Sequence, residues 1–162
     1  MNCPILNRNF EHPADGWYHI EPKGEFPNEE AGVVQVIDDS ALQTIVNRFN
    51  EAAGKPNFPG LLIDHEHFQH QQDKESIAYG WLTHLQNRAD GLYGKVRWTE
   101  TGQRAVDGGD YRFFSTEYKA NEAVILNRRE SPKRLRPQRL SGLTLTNSPN
   151  NKGAKPITNR AP

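Results

Sequence analysis

Apolar residues along this chain fall mostly into short runs, and only one stretch repeats with clear helical spacing. Leu42, Ile45, Val46, Phe49 and Ala53 stand at i, i+3, i+4, i+7 and i+11, one face of an amphipathic helix. Asp39 or Ser40 can cap its start, and Gly54 followed by Pro56 stops it, so the pattern predicts a helix over 39–53. Trp17–Ile20 and Val33–Ile37 are β-rich runs, with turn residues between Pro22 and Pro27. Leu61–Phe68 starts apolar and ends charged, which reads as a buried strand whose end emerges into a site. A polar loop, 69–76, follows. Ile77–Leu85 and Gly91–Trp98 form a hairpin about Ala89-Asp90-Gly91. Thr99 can cap a short helix over 100–107, halted by Gly108-Gly109. Tyr111–Tyr118, Ala123–Leu126 and Arg139–Thr146 complete about seven short strands, and with the helices they predict a β-rich α+β fold.

The chain has 162 residues, enough for one domain with a real core and too few for two large ones. Hydrophobic residues make up 35%, below the usual range for globular chains, which implies irregular segments. The expected layout is a loose arm over 1–16, a folded domain over 17–149 and a disordered tail over 150–162. Twenty Lys+Arg balance twenty Asp+Glu, which argues against a whole-protein grip on nucleic acid or on an anionic membrane. No apolar run approaches the length of a bilayer span, and the N-terminus lacks the apolar stretch of a signal peptide. The expectation is a soluble, cytosolic protein. Cys3, the sole cysteine, excludes an internal disulfide and a multi-cysteine zinc site.

Three segments carry candidate chemistry. Asp64-His65-Glu66-His67, with His70 close behind, gathers three of six histidines within six residues. In an extended strand Ile63, His65 and His67 share one face, and Asp64 and Glu66 share the other. Two imidazoles at i, i+2 can bind a metal with His70 as third ligand, or one of them can act as a base near neutral pH. The alternative is a solvated strand end. Ser115, flanked by aromatics in Tyr111–Tyr118, is a nucleophile only if a histidine from elsewhere reaches its Oγ; otherwise it is a small filler. No G-x-S-x-G elbow supports an α/β-hydrolase. The basic stretch 128–139 reads as a solvated loop, with contact to an acidic partner segment as the alternative. The aromatics of Tyr79-Gly80-Trp81 and Arg97-Trp98 read as packing.

The ordered set of Leu61-Leu62-Ile63-Asp64-x-Glu66-His67, Ala78-x-Gly80-Trp81, Gly91-Leu92-Tyr93-Gly94-x-Val96-x-Trp98-Thr99-x-x-Gly102, Tyr111-Arg112-Phe113-Phe114-Ser115 and Leu143-Thr144-Leu145-Thr146-Asn147-Ser148-Pro149 resembles the protease/scaffold protein of Mu-like phages and prophages. That family is similar to the prohead maturation proteases of tailed phages and, more distantly, to herpesvirus assemblin. The resemblance implies a small barrel-like sheet, no cofactor, and a serine endopeptidase that cleaves scaffold, and itself, in an assembling prohead within the host bacterial cytoplasm. Scaffold and major capsid protein are the implied partners, with self-association as a further expectation and no membrane or specific nucleic acid among them. Carried over by position, the nucleophile is Ser115 and the base His67, with His65 as alternate base. The third member of the distant relatives falls near Gly142, which has no side chain. That leaves a Ser-His dyad, or support from Asp64 or Thr144. Family members usually continue into a long helical scaffolding region, so scaffold is expected on another chain or beyond the protease part. Two rivals remain: a catalytically inactive assembly module on the same fold, and a metal-dependent hydrolase using His65, His67 and His70.

Overall fold

The computed structural model describes residues 11–66, 77–151 and 153–158. Ten strands and two α-helices follow one another as β1 (Trp17–Pro22), β2 (Gly24–Asn28), β3 (Val33–Ile37), α1 (Asp39–Ala53), β4 (Leu61–His65), β5 (Gly80–Arg88), β6 (Gly91–Trp98), α2 (Glu100–Asp107), β7 (Phe113–Tyr118), β8 (Val124–Ile125), β9 (Lys133–Arg136) and β10 (Leu140–Thr146). Six of them form one sheet in the order β1-β6-β5-β4-β10-β7, antiparallel except for the parallel pair β4 and β10. Its two edge strands approach each other, and the sheet curls into a nearly closed barrel. Across the seam Thr116 donates its hydroxyl hydrogen to Glu21 Oε2 at 2.8 Å. The expected β-rich α+β architecture is what forms.

The barrel interior is filled by Ile20, Ile63, Leu82, Leu92, Phe114, Leu143 and Leu145, each nearly or fully buried. Burying a side chain of this size contributes roughly 1.5–3 kcal/mol, so the strands are held chiefly by this shared apolar face. Helix α1 lies against β5 and β3 and buries Ala41, Leu42, Ile45, Val46 and Phe49, nearly the face that the sequence spacing marks. Its cap is Asp38, one residue before the predicted pair, and Asp38 Oδ1 accepts from the Ala41 N–H at 2.9 Å. Thr99 caps α2 as expected. Gly102 in α2 lets the helix approach β5's lead-in so closely that a Cβ there would collide with the Tyr79 carbonyl oxygen.

Four segments differ from the sequence expectation. The turn residues after Pro22 form β2, which pairs along its whole length with β3, because a paired edge tolerates Gly24 and Pro27 where a central strand would not. The basic stretch is not a solvated loop: Lys133–Arg136 is a strand, β9, parallel to β3 in a second sheet ordered β2-β3-β9-β8. Three of the stretch's six cations are met by acidic side chains of the same chain. Arg134 pairs with Glu25, Arg136 grips Asp38 through Nε and Nη2, and Arg139 bonds Glu122 at 2.7 Å. Residues 11–16 of the expected loose arm are pinned, since His12 bonds the Tyr18 hydroxyl and Asp107, each at 2.6 Å. Finally, Ile157 and Thr158 of the expected disordered tail are 2% and 1% exposed, and the Ile157 N–H donates to Arg112 O at 2.8 Å. One apolar residue in a polar run suffices to dock it here.

Candidate active site

Strand β10 lies between β4 and β7, and its register fixes the site. Thr144 sits opposite Asp64 on β4 and opposite Ser115 on β7. Cross-strand partners point to the same face. Asp64, Thr144 and Ser115 therefore form one row, on the face opposite Ile63, Leu143, Leu145 and Phe114. All three are buried, at 0%, 0% and 3% exposure. Two strand spacings separate the ends of the row, placing the Asp64 and Ser115 backbones roughly 10 Å apart. A carboxylate and a hydroxyl at that separation do not touch. An imidazole with a hydrogen bond at each ring nitrogen is long enough to span that distance over Thr144.

Ser115 Oγ accepts the backbone N–H of Asn150 at 3.3 Å. Asn150 lies just beyond β10, so the chain leaving the central strand crosses over the serine. Gly142, near which the third catalytic member is expected, pairs with Glu117 rather than with Ser115. Thr144 occupies the position across from the serine.

The histidine segment is rearranged relative to a simple extended strand. β4 ends at His65, and Glu66 adopts a left-handed backbone with φ of 50° while its N–H still donates to Leu145 O at 3.0 Å. The period-two rule that places His65 and His67 on one face does not carry past that residue. His65 pairs with Leu145, on the face opposite Ser115. Its ring stacks on Tyr79 with centroids 4.7 Å apart and lies 6.1 Å from Tyr111. As alternate base it is thus on the wrong side of the sheet from the hydroxyl. His67 and His70 lie outside the described residues, as does Cys3. Among the described residues no group of three or more His, Cys, Asp or Glu side chains is arranged to hold a metal ion.

Glu21 is a residue that the sequence reading missed. It is 2% exposed, at the barrel seam, where it accepts from Thr116 Oγ1 and from Asn151 Nδ2. Burial raises its pKa from the usual carboxylate range to about 7, with the Thr116 and Asn151 hydrogen bonds opposing the shift. Tyr118, beside it, is raised well above an ordinary phenol by burial first and by the Glu21 charge second. Strand β1 is buried on both faces, so no alternation distinguishes Glu21 from its apolar neighbours in the sequence.

Residues 18–158 match the family model described as the Mu-like prophage I protein, N-terminal domain. The chain is 26% identical over 134 residues to the Mu-like prophage FluMu I protein of Haemophilus influenzae, covering 73% of this chain and 36% of that protein. It is 28% identical over 121 residues to Protease I of Escherichia phage Mu, covering 68% of this chain and 33% of that one. It thus spans about a third of the length of these curated relatives. No solved structure matches it. The family that the motifs resemble is the one the comparison finds, and the match runs from β1 through the docked tail: the chain belongs to the Mu-like prophage I protein N-terminal domain family.

Proposed function

We propose that this chain is a serine endopeptidase of phage capsid assembly, cleaving scaffold protein, and itself, during prohead maturation. The observation that carries the reading is the buried row Asp64–Thr144–Ser115, with His67 two residues beyond the end of β4. Ser115 Oγ attacks the scissile carbonyl and gives its proton to His67, which returns it to the leaving amine. Asp64, at the far end of the row, accepts from the other ring nitrogen of His67 and holds the tautomer. The Asn150 N–H, which donates to Ser115 Oγ, is the proposed donor to the developing oxyanion. Membership of a family in which one relative bears the name Protease I supports this reading.

Scaffold and major capsid protein are the proposed partners, the chain associates with itself in the shell, and the place of action is the assembling prohead in the host bacterial cytoplasm. Mass spectrometry of scaffold incubated with wild type, Ser115→Ala and His67→Ala tests the assignment. Discrete fragments from wild type alone are expected, and cleavage that persists in Ser115→Ala overturns it. The low exposure of Ser115 beneath Asn150 favours one second reading, an assembly module on the same fold that hydrolyses nothing. Absence of fragments from folded wild type with a verified scaffold selects that reading.

A further inference from the structure

The serine and the backbone that crosses it are joined a second time, through their neighbours in sequence. Asn150 donates its N–H to Ser115 Oγ at 3.3 Å. One residue on, Asn151 Nδ2 donates to Glu21 Oε1. One residue after the serine, Thr116 Oγ1 donates to Glu21 Oε2 at 2.8 Å. The path from Ser115 through Thr116, Glu21, Asn151 and Asn150 back to Ser115 is a closed ring of two peptide links and three hydrogen bonds. Glu21, Thr116 and Asn151 are all buried, so water does not compete for these bonds. Asn151 Nδ2 also reaches Gln35 Oε1 at 3.2 Å, which ties the ring to β3 of the second sheet.

A carboxyl at a barrel seam with both oxygens satisfied reads first as a structural bond. What sets this one apart is where its two arms end, on the immediate neighbours of the two groups that meet at the serine. Successive Cα atoms lie about 3.8 Å apart across a planar peptide, so fixing Thr116 and Asn151 leaves Ser115 and Asn150 little room to part. The other end of the crossing segment is fixed separately. Asn147 Nδ2 donates to Asp110 O at 2.9 Å, and Asn147 Oδ1 accepts the Arg112 N–H at 3.0 Å.

We infer that Glu21 is a positioning residue for the hydrolysis: one of its oxygens grips the strand of the nucleophile, the other grips the segment of the oxyanion donor, and together they set the Asn150 N–H at Ser115. The inference rests on the endopeptidase reading and deepens it. Glu21 touches no reacting atom. It acts through geometry, where a misplacement of about 1 Å costs up to ~10²-fold in rate.

Two readouts on the whole chain test this: hydrogen exchange at the Asn150 amide by NMR, and the rate at which a fluorophosphonate probe labels Ser115, followed by intact mass. In the labelling step Ser115 Oγ bonds to phosphorus, fluoride leaves and the hydroxyl proton passes to the base, while the phosphonyl oxygen takes the oxyanion's place. Asn151→Ala cuts one arm of the ring and leaves the bonds of Asn147 in place. It is expected to speed exchange at Asn150 by ~10-fold or more with the Leu143 and Leu145 amides unchanged, and to slow labelling by ~10–100-fold. Glu21→Gln combined with Asn151→Asp sends the same hydrogen bond in the opposite direction, and is expected to bring both readouts back to within ~3-fold of wild type. Undiminished protection of Asn150 in Asn151→Ala overturns the inference even if wild type cleaves scaffold, because the segment is then held from its Asn147 end. Lost protection with an unchanged labelling rate overturns it too, as does a folded double variant that stays as impaired as Asn151→Ala. Wild type that neither takes the probe nor cleaves scaffold, yet loses Asn150 protection in Asn151→Ala, retains the grip of Glu21 and overturns the endopeptidase reading, so the two fail separately.

Discussion

Ser115 and Thr116 are neighbours on one strand, both hydroxyl-bearing and both buried, yet they sit in opposite chemical settings. Thr116 turns toward the barrel seam, and its proton is committed to Glu21. Ser115 turns to the other face, into a row with Thr144 and Asp64, where its oxygen accepts a backbone N–H. A donor already engaged by a buried carboxylate holds structure. A hydroxyl that accepts from the backbone keeps its own proton for a base. The pleat of one strand thus divides a hydroxyl committed to the seam from the one proposed as nucleophile, at a distance of one residue.

The strongest way to break this contrast is to remove each hydroxyl in turn. Ser115→Ala is expected to lower kcat/KM on scaffold by ~10³-fold or more with the melting temperature unchanged. Thr116→Val should leave turnover measurable; if it alone abolishes cleavage while the fold persists, the two roles have been assigned the wrong way round. Asp64→Asn comes next, with a loss of ~10²–10⁴-fold in kcat and little change in KM if the carboxylate orients the base. An unchanged kcat removes Asp64 from the site.

The seam makes a prediction of its own. Glu21 holds its proton up to about pH 7 when folded, against about 4.5 when exposed. Between those values the folded chain binds a proton that the unfolded chain has released. Stability is therefore fully present below about pH 4.5 and declines as pH rises through 7, by on the order of 2–3 kcal/mol. Denaturant midpoints at pH 5 and 8 should show the fall, and Glu21→Gln should flatten it. A slope that survives in Glu21→Gln places the titrating group elsewhere. In the same assay Thr116→Val should cost about 1–3 kcal/mol, since it strips a donor from a buried carboxyl. Smallest is Arg136→Ala, which leaves the α1 cap without its bidentate partner and is expected to cost about 1 kcal/mol with cleavage unaffected.

Elements whose residues repeat at the right period were legible. Helix α1 declared itself through Leu42 to Ala53, and β5 and β6 through the hairpin at Asp90-Gly91. Segments held by distant partners were not. Lys133–Arg136 has the composition of a solvated run, and pairing with β3 and β8, with Glu25 and Asp38 meeting two of its charges from afar in sequence, makes it a strand. Gly24–Asn28 carries turn residues and becomes a strand because β3 pairs with it. The same division holds for the site. Ser115 was visible as a candidate, but its alignment with Thr144 and Asp64 is a matter of register, which no local pattern encodes. The separation of His65 from Ser115 onto opposite faces follows from that register too. Glu21 left no trace, because a strand buried on both sides has no polar face against which a charged residue would look out of place.

The parallel pairing of β4 with β10 has a consequence for timing. Asp64 and Ser115 have left the ribosome well before Leu140–Thr146, yet only that last strand brings them into one row. Contacts across such a span form late, after the loop between them has been closed. A nascent chain therefore carries both end members of the row without their alignment, and the row comes together only once synthesis has passed residue 146 and β10 has slid between its two neighbours. Order of synthesis itself delays the alignment of the row until the barrel is nearly whole.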